Sequence, residues 1–149
     1  MNQKKLPLII EPAELSAAFQ SDKELLIVDL CSDENHARHH IPGAVHVSPG
    51  ELISGARPAV GKLPDVSRLE SLFSRIGYTE ERHVVAYDDE GGGWAGRFSW
   101  TLDVIGHESA SFLNGGLIAW AEAGLPMTRE IPEVTPTDPH LDIHQAFIA

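Results

Sequence analysis

Residues 84–97, Val-Val-Ala-Tyr-Asp-Asp-Glu-Gly-Gly-Gly-Trp-Ala-Gly-Arg, constrain the fold more than any other stretch. A short apolar run ends in three consecutive acids and three consecutive glycines, and the chain then resumes at helical spacing. That order reads as strand, loop, helix. In an open α/β sheet such a junction opens onto the crevice beyond the strand ends, where ligands bind. The candidate loop is therefore Asp88, Asp89, Glu90, Gly91, Gly92 and Gly93, followed by Trp94 and Arg97 on the helix.

The flanking chain repeats the same alternation. Leu8–Ile10, Leu25–Leu30, Ala44–Val47, Arg82–Tyr87 and Ser109–Leu113 read as short strands. Leu25–Leu30 is apolar throughout except Asp29, which suits a strand buried on both faces of a parallel sheet. Glu11–Leu15 opens a helix with Leu15, Ala18 and Phe19 on its apolar stripe, and Ser32–Asn35 starts a short one through Arg38. The clearest helix follows Asp65, a good N-cap, with Val66, Leu69, Leu72, Phe73 and Ile76 on one face. Trp94, Phe98, Leu102 and Ile105 form another stripe, and Leu117–Ala123 makes a last short helix containing Trp120. Gly77 and Gly106 each end a helix ahead of a strand. Strands alternating with helices imply an α/β fold: an open sheet of about five mostly parallel strands, with helices on both faces. Ser48–Gly61, rich in Gly, Pro and small residues, reads as a surface connection.

At 149 residues the chain suffices for one domain with a substantial core. A formal net charge of −11 argues against a nucleic-acid partner, because phosphate binding needs a basic surface. No apolar run spans a bilayer, and Lys4-Lys5 followed only by Leu6–Ile10 makes a poor signal peptide, so a cytoplasmic protein without a membrane partner is expected. One cysteine, Cys31, excludes an internal disulfide. Residues 1–130 read as the domain. From Ile131, the prolines 132, 136 and 139 read as an extended linker, and the final Ala146-Phe147-Ile148-Ala149 resembles the start of another strand.

Ile27-Val28-Asp29, His40-Ile41-Pro42-Gly43-Ala44, the 84–97 stretch, and Leu113-Asn114-Gly115-Gly116 with Trp120 occur in an order that resembles a rhodanese domain. The resemblance covers roughly Leu8 to Thr128. It is closest to the first domain of tandem thiosulfate and 3-mercaptopyruvate sulfurtransferases. It implies two such domains in one chain, with the reactive cysteine generally only in the second and residues 131–149 leading towards it. A His of the His-Ile-Pro-Gly motif, here His40, with an upstream Asp loosely matched by Asp33, is implied to assist chemistry at the interface between the domains.

In an active rhodanese loop the residue directly after the strand is a cysteine, which carries sulfane sulfur as a persulfide. Asp88 stands at that position here, and a carboxylate cannot carry sulfane sulfur. The residues point to an anion mimic that satisfies its own backbone donors. A Mg²⁺ or Ca²⁺ site is disfavoured because consecutive acids converge poorly on one ion, and an aspartyl phosphoryl-transfer site because the Asp-x-Asp pattern is missing. Cys31 is the alternative nucleophile, but Asp29, Asp33 and Glu34 nearby disfavour its thiolate. His36, His39 and His40 suggest a metal by spacing alone, without a further ligand set, so no metal or cofactor is expected. Arg97 is expected to pair with Asp88 or Glu90. The three tryptophans read as packing. The leading expectation is a non-catalytic rhodanese domain acting as structural or regulatory partner of a catalytic one. A stand-alone sulfur carrier using Cys31 and an inactive protein-binding module are the alternatives.

Overall fold

The computed structural model describes residues 6–21, 24–55 and 61–143. Its elements, in chain order, are β1 (Ile9–Ile10), α1 (Pro12–Ala18), β2 (Leu25–Asp29), α2 (Asp33–Arg38), β3 (Val45–His46), a 3-10 turn (Pro49–Leu52), α3 (Val66–Arg75), β4 (His83–Tyr87), α4 (Gly93–Val104), β5 (Ala110–Leu113) and α5 (Gly116–Glu122). The five strands form one sheet in the order β1-β5-β4-β2-β3, and every pairing is parallel. The expected α/β architecture is therefore present, with all strands parallel.

Alternation along the central strands feeds two apolar layers. Leu26, Val28, Val84 and Ala86 face one layer, filled by Leu72 and Phe73 of α3 and Ala95, Phe98 and Leu102 of α4. Ile27, Val85 and Tyr87 face the other, filled by Leu15 of α1 and Leu117 and Trp120 of α5. A strand buried on both sides can be apolar at every position, which is why β2 and β4 lack polar alternation. Trp120 and Phe73 are fully buried, and each such side chain contributes roughly 2–3 kcal/mol of transfer free energy. Asp65 caps α3 through a 3.0 Å bond from the Arg68 N–H, and Ser32 caps α2 through the Asn35 N–H.

Three local expectations need correction. Residues 48–61 are not only surface chain: the 3-10 turn plants Leu52, fully buried, in the core. Phe19 stays 39% exposed because it lies past the end of α1, where it meets Trp120 edge-on at 5.9 Å. Val66, the first residue of α3, is likewise exposed.

From Ile131 to Ile143 the chain is extended and docks on α3. Thr137 donates its N–H to the Ser74 carbonyl and its hydroxyl to the Tyr78 carbonyl, while Ser74 Oγ donates to the Thr137 carbonyl. Val134 and Leu141 pack on the α3–α4 layer. The strand-like segment Ala146–Ala149 lies outside the described residues.

Candidate functional site

The β4–α4 junction is a turn that closes on its own first residue. Asp88 is 2% exposed. Its Oδ1 accepts the N–H groups of Glu90 at 3.0 Å and Gly92 at 2.9 Å, and its Oδ2 accepts the Ala95 N–H at 2.9 Å. These donors converge because Gly91 and Gly92 take φ of +87° and +96°, which turns successive N–H groups inward and sets Gly92 as the N-cap of α4. A Cβ at Gly92 would lie 2.7 Å from the Phe112 ring. The loop is locked from below by α5: the Leu117 N–H donates to the Asp88 carbonyl at 3.0 Å, and a Cβ at Gly116 would lie 2.2 Å from that carbonyl oxygen. The cradle has the donor geometry of an anion site, and the anion in it belongs to the chain.

Beside the cradle lies a cavity of about 460 Å³, lined by Asp88, Asp89 and Glu122 together with Phe112, Asn114 and Ile118. Among the described residues, no basic side chain lines it. Asp89 turns towards α2, where its Oδ2 accepts the Asn35 side-chain amide at 2.8 Å. Glu90 is exposed, and Gly93 begins α4. Arg97 does not pair with the loop acids. Its Nη2 donates to the Leu52 carbonyl at 3.0 Å, and its guanidinium lies 4.7 Å from the centre of the Trp100 ring. It lies on α4 beyond the loop, and its acceptor is on the last residue of the 3-10 turn. Trp94 packs against the α3–α4 layer and Trp120 fills the opposite one.

Cys31 is 1% exposed and packed among Ile10, Ile27, Ile41 and Val85. Burial first, then the charges of Asp29, Asp89 and Asp88, push its thiol far above the ordinary range. A thiolate there is strongly disfavoured, so Cys31 lacks the form that attacks a sulfur donor.

Of the three closely spaced histidines, His36 and His40 are buried and His39 is exposed. His40 is fully buried, with Nδ1 2.8 Å from the His36 carbonyl oxygen and Nε2 2.8 Å from that of Glu130. Both ring nitrogens are committed to the backbone, and Asp33 instead accepts the Ser48 hydroxyl at 2.5 Å. A further Asp–His contact lies in the interior. Asp29, also fully buried, has Oδ2 3.1 Å from His36 Nδ1, an ion-pair distance but not aligned as a hydrogen bond. Asp29 further accepts the Tyr87 hydroxyl and the Cys31 N–H. Burial raises its carboxyl, but the contacts from His36, Tyr87 and the Cys31 backbone more than offset this and hold it below the ordinary carboxylate range. This network was not read from the sequence. A lone acid at the end of an otherwise apolar strand was its available signal.

A wholly parallel sheet of this order, with an anion cradle between its central strand and the following helix, is a rhodanese-type architecture. The rhodanese-like domain model matches residues 11–123, and the chain belongs to that family. It is 52% identical over 127 residues to a thiosulfate sulfurtransferase from Azotobacter vinelandii, covering 85% of this chain and 46% of that protein. A thiosulfate sulfurtransferase from Pseudomonas aeruginosa is 50% identical over 127 residues, with the same coverage of 85% and 46%. The chain thus spans about half the length of these curated relatives. Among solved structures, the 3-mercaptopyruvate sulfotransferase SseA from Escherichia coli shares the fold, with a TM-score of 0.82 at 23% identity over 92% of this chain and 56% of that one.

Proposed function

We propose that this chain is a non-catalytic rhodanese domain that acts as structural or regulatory partner of a cysteine-bearing rhodanese domain within a sulfurtransferase. One observation carries the reading. The carboxylate of Asp88 fills the backbone cradle with hydrogen bonds from Glu90, Gly92 and Ala95, at the position where sulfur transfer requires a thiol. The donors that would hold a thiolate, a persulfide or an incoming oxyanion are already engaged. An anionic donor such as thiosulfate would also meet Asp88, Asp89 and Glu122 in the adjoining cavity. A like-charge pair 4 Å apart costs roughly 4 kcal/mol at an effective dielectric near 20.

The relatives' length supports a second domain in the same assembly, because a match to 46% of each leaves more than half of those chains without a counterpart here. The substrate of such an assembly belongs to the domain that carries the cysteine.

The test is sulfur transfer from thiosulfate to cyanide, measured as thiocyanate. The purified chain is expected to give none above background, alone, and the Asp88→Cys variant to recover little, because Asp89 and Glu122 remain. Joined to a cysteine-bearing rhodanese domain of the thiosulfate sulfurtransferase type, it is expected to raise that domain's activity or stability. Robust turnover by the chain alone would overturn the reading.

A further inference from the structure

The proline-containing segment after α5 reads as a tether in sequence, yet it makes the contacts of a bound peptide. Its side chains alternate, as in an extended ligand on a surface: Pro139 and Leu141 are half-buried between the exposed Asp138, His140 and Asp142. Three points fix its register against α3. Val134 crosses Gly77, just past the C-cap of that helix, so closely that a Cβ there would lie 2.9 Å from Val134 Cγ1 and 3.6 Å from the Thr135 carbonyl oxygen. Thr137 uses carbonyls at the same helix end. Its N–H donates to the Ser74 carbonyl at 3.2 Å and its hydroxyl to the Tyr78 carbonyl at 2.7 Å, while Ser74 Oγ donates back to the Thr137 carbonyl. Further back along α3, Glu70 Oε2 accepts the Leu141 N–H at 2.9 Å. Val134 and Leu141 also pack on the apolar layer formed with α3 and α4.

We propose that the face formed by α3 and α4 is a docking groove for residues 134–141, and that the docked segment is a rigid arm fixing the direction in which the chain runs on from Ile143. The groove reads side chain and backbone together. Gly77, with φ at +78°, leaves a clearance over which Val134 and the strap backbone pass, and any side chain there would close it. The Tyr78 carbonyl takes a hydroxyl at position 137. Glu70 takes a free N–H at position 141, which a proline would not supply. The prolines that do occur, 132, 136 and 139, restrict the undocked segment, so less conformational freedom is lost on docking. A solvated tether would instead sample a broad range of end positions. On the reading proposed above, from which this consequence follows, the arm holds a cysteine-bearing domain in one place relative to the Asp88 loop.

Backbone relaxation and amide hydrogen exchange on the full chain test the arm. Order parameters at Thr137, Leu141 and Ile143 are expected at the rigid value of about 0.85, as for Val28 and Val85 in the sheet, whereas a tether falls below about 0.6. Thr137→Val keeps the N–H to Ser74 and loses only the hydroxyl. It is expected to lower exchange protection at the Leu141 amide, four residues away, by about fivefold, the effect of one neutral hydrogen bond shared by a single docked unit, while Val28 and Val85 keep theirs. Gly77→Ala drives a methyl into Val134 and is expected to lower protection at both Thr137 and Leu141, with the sheet amides again as the check on global unfolding. Tether-like order parameters at Leu141 and Ile143 in the wild type would overturn the inference. So would Leu141 protection that Thr137→Val leaves unchanged, or loss in step with Val28 and Val85. Neither readout involves sulfur transfer, so failure of the arm and failure of the non-catalytic reading are told apart.

Discussion

Tyr87 and Asp29 are register partners on adjacent parallel strands, and the Tyr87 hydroxyl donates to Asp29 Oδ2 at 2.5 Å with both residues fully buried. The same hydroxyl accepts the Ile41 N–H at 3.1 Å. One phenol thus ties the ends of β2 and β4 to the turn before β3. Tyr87→Phe leaves a buried carboxylate short of a donor and a buried N–H short of an acceptor. Chemical denaturation is expected to show a loss of about 2–4 kcal/mol.

Asp29 sets an acid limit on stability. Its folded carboxyl lies below the unfolded value of 3.8 despite burial, because His36, Tyr87 and the Cys31 N–H favour the ionised form. The stabilisation is fully present above that unfolded value and is lost as pH falls through the folded one. Denaturation midpoints measured from neutral pH into this acid range should fall steeply in the wild type. Asp29→Asn should be less stable at neutral pH by about 3 kcal/mol or more, because His36 and Tyr87 lose their carboxylate, and its acid slope should be shallower.

Gly116 is where α5 meets the loop. With φ at +59° and the Asp88 carbonyl oxygen 2.2 Å from a would-be Cβ, Gly116→Ala forces backbone apart. A cost of about 2–3 kcal/mol is expected, together with perturbed amide resonances at Glu90, Gly92 and Leu117. A variant as stable as wild type with unshifted resonances would show that the loop does not rest on α5 in this way.

Asp88 holds the loop shape as well as keeping the cradle occupied. Asp88→Ala strands three donors, two of them on loop residues. Hydrogen bonds to charged groups contribute roughly 1.5–3 kcal/mol each, not additively. Urea unfolding should show a loss of at least about 3 kcal/mol. Added sulfate or thiosulfate should stabilise this variant more than the wild type, since only the variant has a vacant cradle.

Much of this was legible in the chain before any coordinates. Apolar runs alternating with helical stripes define the parallel sheet, and Asp65 and Gly77 bracket α3 because capping is local chemistry. Asp88's position after β4 was legible too, since strand, acid and glycines are contiguous. The histidine stack was not. His36, His40 and His46 come from a helix, its exit and a strand, and nothing in their spacing shows that their rings stack or that the Thr128–Glu130 backbone folds back onto His40. Arg97 misled for a similar reason: its nearest charges in sequence are the loop acids, but its acceptor, Leu52, lies 45 positions away on a turn that reads as loop. Tertiary proximity decides both cases, and local pattern does not encode it.

The most direct test of the central claim is intact-mass measurement of the chain after incubation with thiosulfate, in the wild type and in Cys31→Ala. The account predicts no added sulfur on either protein, because the cradle holds a carboxylate and the one thiol is buried and protonated. A wild-type mass gain of one sulfur atom that disappears in Cys31→Ala would contradict it and make this domain a sulfur carrier.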